Sequence, residues 1–308
     1  MALKGLKIIT ILGFSITQKN YSEPVGFLET KYKHKLGLAA GLDKNGDYID
    51  ALAAVGFSFL EIGTVTPKSQ KGNSKPRLLR LTKEKALVNR MGFNNKGVDY
   101  LVSKVKKSNS GIPLGISIGK NFDTTNELAH EDYLCCLSKV YEFATYVAIN
   151  ISSPNTKNLR DLESKESLNF LLNKLKKRQE ELSSTYGYKP LLVKISPDNS
   201  KEALLGICQS LLDNNIDGVI CSNTTTNHDY FSGTGGLSGQ PLFDASTLAL
   251  RTLRKHLGSD FPIIASGGVM NKKSFDEKIN SGADLVQIYT GFIYKGPSLI
   301  AEIINPKN

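Results

Sequence analysis

The residue types that build disulfides, metal centres and membrane spans are scarce in this chain. Four cysteines occur, Cys135, Cys136, Cys208 and Cys221, and none forms a Cys-x-x-Cys pair. Cys135 and Cys136 are adjacent within a helical pattern and would point to different faces, so the reading is reduced, structural thiols. His34, His130, His228 and His256 are scattered without ligand spacing, so no structural or catalytic metal is expected. No apolar run approaches the roughly 18–20 residues that span a bilayer. The first strand candidate is followed by Gly41-Leu42-Asp43-Lys44, not by a Gly-x-Gly-x-x-Gly dinucleotide fingerprint. No pair of Asp or Glu dominates the strand ends, which argues against two-carboxylate glycoside hydrolysis.

What is present is a composition of 40% hydrophobic and 22% charged residues, as in globular proteins. The net charge of +10 favours anionic partners without choosing among phosphates, acidic substrates, RNA or an anionic membrane face. Met1 to Lys7 carries two lysines, and Ile8 to Ile16 is largely apolar. A signal peptide has this beginning, but no Ala-x-Ala-like site follows. A short basic amphipathic helix on the protein or on a membrane surface fits better.

Short apolar runs recur along the rest of the chain. Strands are expected at Leu36–Leu42, Phe59–Thr66, Pro113–Gly119, Tyr146–Ser152, Leu191–Ser196, Gly218–Asn223, Pro262–Gly267 and Leu285–Thr290. Most are continuously apolar, as parallel strands covered on both faces are. Helical spacing fills the gaps at Tyr48–Val55, Gly97–Lys107, Asp132–Ala144, Lys165–Tyr186, Lys201–Asn214, Asp244–Leu257, Lys272–Ser281 and Pro297–Ile304. Ser200 and Asn271 are placed as N-caps, and Gly258 and Gly282 as terminators. Eight strand–helix alternations predict an α/β fold, a (β/α)8 TIM barrel over 25–308, behind a short N-terminal helical extension, 1–24. An open doubly wound sheet is the competitor. The stretches 67–92 and 224–243, rich in Gly, Asn, Pro, Ser and basic residues, are expected to be long lid or binding loops.

In such barrels the site lies at the C-terminal ends of the strands. The most telling end is Ala148-Ile149-Asn150-Ile151-Ser152-Ser153-Pro154-Asn155-Thr156, where an apolar run breaks into amides and hydroxyls. A strand with a Pro turn explains it blandly; a polar, planar, hydrogen-bonding ligand explains it functionally. The other ends add Ala40, Gly41 and Lys44, Thr64, the stretch Asn89-Arg90-Met91-Gly92-Phe93, Ser117, Ser222-Asn223-Thr224, Gly267-Gly268 and Tyr289-Thr290-Gly291. Lys194, inside Leu-Leu-Val-Lys-Ile, is the strongest anomaly, since a charge there is costly unless paired. It faces either a buried carboxylate, or a bound anion or electron-rich cofactor ring. Lys44 is more ambiguous, because lysines at strand ends are often solvated. Glycines after the seventh and eighth strands suit a phosphate. A site of amides, hydroxyls and lysines binds an anionic heterocycle and leaves hard chemistry to a cofactor.

Ala40–Lys44, Glu61–Pro67, Asn89–Asn95, Asn150–Thr156, Gly235–Gly239 and Gln287–Gly291 together resemble the dihydroorotate dehydrogenases, from about residue 25 to 304. Serine at 153 resembles the quinone-dependent, membrane-associated class 2; the soluble class carries a cysteine there. The resemblance implies an FMN-containing barrel that oxidises (S)-dihydroorotate to orotate in pyrimidine (UMP) biosynthesis and passes electrons to a quinone. It implies Ser153 as base toward C5, with Thr156 as the nearest candidate for its relay. Lys44, Asn89, Asn150, Asn155, Asn223 and Thr224 would hold the substrate, with Arg90, Met91, Gly92 and Phe93 on the same side. Ala40, Gly41, Thr64, Ser117, Asn150, Lys194, Ser222, Gly239, Gly268, Tyr289 and Thr290 would hold FMN. A peripheral position on the cytoplasmic face of a membrane is expected, and no nucleic-acid partner.

Three departures accompany the resemblance. Ser117 stands where an asparagine is expected, and Ser222 replaces a threonine while keeping the hydroxyl. The 24 residues before Val25 leave room for one of the two helices that class 2 enzymes place ahead of the barrel. Dihydroorotate oxidation with a non-quinone acceptor is therefore an alternative. So is a flavin barrel acting on RNA uridines, which would need a catalytic cysteine, and so is a flavin-binding barrel without turnover.

Overall fold

The computed structural model describes residues 24–230 and 234–304, together with Gly5. The extension expected over 1–24 lies outside the described residues except for Gly5 and Pro24. Among the described residues thirteen strands follow: β1 (Val25–Phe27), β2 (Thr30–Tyr32), β3 (Leu36–Leu38), β4 (Phe59–Val65), β5 (Leu78–Leu81), β6 (Ala86–Asn89), β7 (Leu114–Ile118), β8 (Tyr146–Asn150), β9 (Leu191–Ile195), β10 (Gly218–Cys221), β11 (Gly236–Gly239), β12 (Ile263–Ser266) and β13 (Leu285–Ile288). Strands β3, β4, β7, β8, β9, β10, β12 and β13 close, in that order, into one parallel barrel. Every residue of these eight strands is buried. Enclosure on both faces is why their sequences are continuously apolar rather than alternating.

The helices form where the periodicity places them. Lys165–Tyr186 buries Leu168, Leu171, Leu172 and Leu175, one face at helical spacing. Ser200 accepts the Ala203 N–H at 3.2 Å, and Asn271 with Ser274 forms a reciprocal capping box. Each strand ends earlier than its apolar run, because the last residues turn off the sheet toward the mouth. Thr290, expected as a strand residue, instead opens the helix Thr290–Lys295.

Inward-facing positions alternate along each strand and so stack in layers. The lowest layer is apolar: Phe59, Tyr146, Leu192, Ile220, Ile264 and Leu285 cluster there. The β1–β2 hairpin closes this end with Phe27 and Tyr32, the Tyr32 ring meeting Phe59 edge-on at 5.4 Å. Gly115 belongs to this packing, since a Cβ there would sit 2.2 Å from the Tyr146 ring. Two residues further along the same strands, the layer turns polar with Glu61, Lys194 and Gln287.

The stretches 67–92 and 224–243 are not simple loops. They contain β5, β6 and β11, which form a three-stranded antiparallel sheet in the order β11-β6-β5. The strands are only four residues long, and β5 alternates between exposed and half-buried positions, so no long apolar run marks it. Residues from all three strands wall the barrel mouth.

Candidate active site

The mouth opens into a cavity of about 1060 Å³, its opening included. All of the expected site residues line it except Arg90, Ser117 and Thr156. Ser117 lies just behind the wall and shares a hydrogen bond with Thr64, Oγ to Oγ at 2.9 Å. The Arg90 backbone N–H pairs with the Arg77 carbonyl, alongside β6 rather than on the cavity wall. Thr156 is buried, and its hydroxyl has no hydrogen-bond partner among the described residues.

The Asn150–Asn155 segment comes together with the neighbouring strand ends as one amide network. Asn150 donates Nδ2 to Thr64 Oγ1 at 2.8 Å, and its Oδ1 accepts from Asn223 Nδ2 at 3.3 Å. Asn223 also reaches Ser152 Oγ at 3.0 Å and takes the Thr224 N–H on its Oδ1 at 2.8 Å. On the other flank, Asn155 donates Nδ2 to Asn89 Oδ1 at 3.1 Å, and Asn89 donates to the Gly236 carbonyl at 3.2 Å. Ser153 lies between these flanks, 6% exposed, its Oγ accepting the Asn155 N–H at 3.3 Å. Such a network holds each amide in one orientation and leaves little to reorganise when a ligand arrives.

Two residues absent from the expected site brace this segment. Tyr133 donates its hydroxyl to the Asn150 carbonyl at 2.8 Å. Arg160 spans three strand-end loops, donating to Ser152 O at 3.1 Å, Thr224 O at 2.9 Å and Asp198 at 2.7 Å. No local signal marks them, since an arginine in a short helix and a tyrosine on an amphipathic one are ordinary.

Below the amides lie the charges. Lys194 meets Glu61 at 3.3 Å, both buried, and Glu61 also accepts from Gln287 Nε2 at 2.7 Å and Tyr146 OH at 3.0 Å. The carboxylate reading of Lys194 is met by Glu61 from below, and the lysine also lines the cavity above. Glu61 was legible by the same anomaly, a charge inside Phe-Leu-Glu-Ile-Gly. Lys44 is different. Burial lowers its pKa to about 8, with Arg77 and Lys194 adding like charge. Among the described residues it forms no ion pair.

These features define what fits. A cation surrounded by cations calls for an anion. The buried Gln287 Oε1 has no partner among the described residues, so the polar layer keeps an acceptor for a donor on a bound group. Gly267, Gly268 and Val269, followed by Tyr289, Thr290 and Gly291, bring backbone to the cavity wall at the ends of β12 and β13. A flat, hydrogen-bonding ring carrying an anionic tail satisfies all three. None of the four cysteines lines the cavity, and Cys221 is buried, its thiol pushed up to about 12 by desolvation. The uridine-modifying alternative, which needs a reactive cysteine, finds none at this site.

Comparison with known proteins gives a consistent result. Residues 24–306 match the family model described as dihydroorotate dehydrogenase. A Vibrio atlanticus protein named dihydroorotate dehydrogenase (quinone) is 51% identical over 290 residues, covering 92% of this chain and 86% of that protein. One of the same name from Proteus mirabilis is 51% identical over 299 residues, covering 95% and 89%. The crystal structure of ligand-free DHODH from Eimeria tenella superposes with a TM-score of 0.90 at 34% identity, covering 98% of this chain and 92% of that one. The ferulenol complex of the Eimeria tenella enzyme gives 0.88 at 33% identity, covering 98% and 88%.

Proposed function

The chain belongs to the dihydroorotate dehydrogenase family, and on that premise we propose that Ser153, the amides flanking it and Lys44 form the centre at which the substrate is held and deprotonated. The activity is oxidation of dihydroorotate with a quinone as electron acceptor. The observation that carries the assignment of residues is the convergence of Asn89, Asn150, Asn155 and Asn223 around Ser153, beside a lysine with no counter-carboxylate among the described residues.

Asn89, Asn150, Asn155, Asn223 and Thr224 offer donors and acceptors on all sides of a planar pyrimidine ring. Lys44 pairs with its carboxylate, which raises the lysine's lowered pKa and orients the ring. Ser153 Oγ takes the C5 proton as hydride leaves C6. A serine hydroxyl is too weak a base alone, so the proton passes on through a relay, for which the unpartnered Thr156 hydroxyl, together with a water, is the candidate. The family's flavin, which we infer to be FMN, would supply the hydride acceptor and the electron route to the quinone. Lys194 and Gln287 form the polar layer that lines the cavity and would face the ring, where Lys194 would stabilise negative charge. Ala40, Gly41, Thr64, Ser222, Gly239, Gly268, Tyr289 and Thr290 would complete the flavin cradle, with Ser117 supporting Thr64 from behind.

Quinones reside in the membrane, so we infer peripheral contact at the cytoplasmic face through the basic, apolar stretch Met1 to Ile16. No helix among the described residues is long and apolar enough to cross a membrane. The reaction fits the synthesis of UMP. Anaerobic stopped-flow spectroscopy tests the reading: dihydroorotate should bleach the flavin, and a soluble quinone should restore it faster than fumarate or NAD. A flavin that dihydroorotate leaves oxidised would falsify the assignment.

A further inference from the structure

Beyond Lys44 and Lys194, the protein buries another lysine that this chemistry does not use. Lys278, on the helix Lys272–Asn280, is 0% exposed and forms no ion pair among the described residues. Its ammonium donates to Ser246 Oγ at 2.6 Å and lies 4.9 Å from the centre of the Phe243 ring. Asp244, Arg251 and Glu277 are the other charges near it, and the last two pair with each other. An ammonium kept in a core with a hydroxyl and a ring for company is costly, and a fold that retains one has a use for the charge nearby.

Ser246 shows where that use lies. It is fully buried, and its Oγ is 3.1 Å from the Gly267 carbonyl and 3.0 Å from the Phe243 carbonyl. With Lys278 donating to the oxygen, the serine's own proton is directed at these carbonyls. In a planar trans peptide the C=O and the following N–H point in opposite directions. Drawing the Gly267 carbonyl inward therefore turns the Gly268 N–H outward, and both glycines line the cavity. The Gly268 and Val269 N–H groups have no acceptor among the described residues. The loop has no slack: a Cβ on Gly268 would sit 2.4 Å from Phe243 Cα.

We propose that Lys278 is a positioning residue for the phosphate end of the bound flavin nucleotide. Through Ser246 it fixes the Gly267–Gly268 peptide with its N–H toward the anion, and it adds a buried positive charge behind that peptide. This rests on the reading that the cavity takes a phosphate-bearing flavin.

The test is equilibrium binding of FMN and of riboflavin, the same ring without phosphate, to the full-length chain and to Lys278→Met and Ser246→Ala. Lys278→Met should weaken FMN about tenfold while riboflavin stays within about twofold, and Ser246→Ala should show a smaller loss with the same selectivity. Equal weakening of both ligands points to a merely structural lysine and overturns the proposal, as does no change in either. If thermal melts show that Lys278→Met does not fold, the FMN-to-riboflavin ratio of Ser246→Ala decides. A parent protein that shows no preference for FMN over riboflavin sinks the flavin-phosphate reading before either variant is compared.

Discussion

The two ends of the barrel are built from the same eight strands yet obey opposite rules. At the N-terminal end, inward positions carry Phe59, Leu192 and Leu285, sealed by the aromatic hairpin β1–β2. Two residues on, the same strands present Glu61, Lys194 and Gln287, and beyond these the walls mix amides, hydroxyls and bare backbone with apolar side chains such as Leu87, Met91 and Phe93. The lower end gains stability from filling space. The upper end keeps a cavity lined by charges that the protein itself does not fully satisfy. Stability and function are thus separated by one step of the strand repeat, and substitutions at the two ends should have different signatures.

The sharpest division is expected from Ser153→Ala. It removes the proposed base, so flavin reduction by dihydroorotate should fall ~10²–10⁴-fold at neutral pH with the melting temperature nearly unchanged. Stopped-flow absorbance and a thermal melt check both halves. Phe59→Ala should do the reverse. Emptying the plug costs about 3–5 kcal/mol of stability, read from denaturant unfolding, while the rate constant for flavin reduction stays close to the parent value. If that rate falls as far as it does for Ser153→Ala, the two ends are not separable.

Lys194→Met probes the boundary layer. It strands Glu61 without its counter-charge, and breaking a buried pair costs about 3–5 kcal/mol. Adding Glu61→Gln should return part of that stability but none of the flavin affinity, if Lys194 also serves the ring. Fluorescence of released flavin separates the two effects.

A smaller effect is expected from pH. Burial and like charge hold Lys44 down to about 8 in the ligand-free site, and a bound carboxylate raises it again. Below pH 8 the lysine is already charged, so it gives orotate affinity no slope. Above pH 8 binding must take up a proton, so affinity falls as pH rises, by up to about tenfold per unit. Calorimetric titration in buffers of different ionisation heat measures the uptake, and Lys44→Met should abolish it. The least perturbing test removes residues 1–20. Liposome co-sedimentation should drop while flavin reduction by dihydroorotate persists, and equal sedimentation of both forms argues against an N-terminal contact.

Much of this is legible in the sequence alone. Continuous apolar runs such as Tyr146–Ser152 and Leu191–Ser196 mark the parallel strands, and the break after Ile151 marks the strand end that holds Asn150, Ser153 and Asn155. Lys194 stood out because an ionised group inside such a run requires a partner. The sheet of β5, β6 and β11 did not stand out, because its strands are four residues long and leave no period long enough to read. Arg160, Tyr133 and Lys278 were silent for another reason: their importance lies in which distant backbone group or side chain they reach.

The sequence by itself determined the barrel, the end of it that carries polar groups, and most residues of the cavity wall, since each follows from local burial, spacing and turn chemistry. Only the tertiary structure decided that Lys194 is balanced by Glu61 while Lys44 has no ion-pair partner among the described residues, and that Ser246 ties Lys278 to the Gly267 carbonyl. Pairing is a property of residues far apart in the chain, 133 positions for Lys194 and Glu61. Barrel closure settles which charges meet and which are left for a ligand.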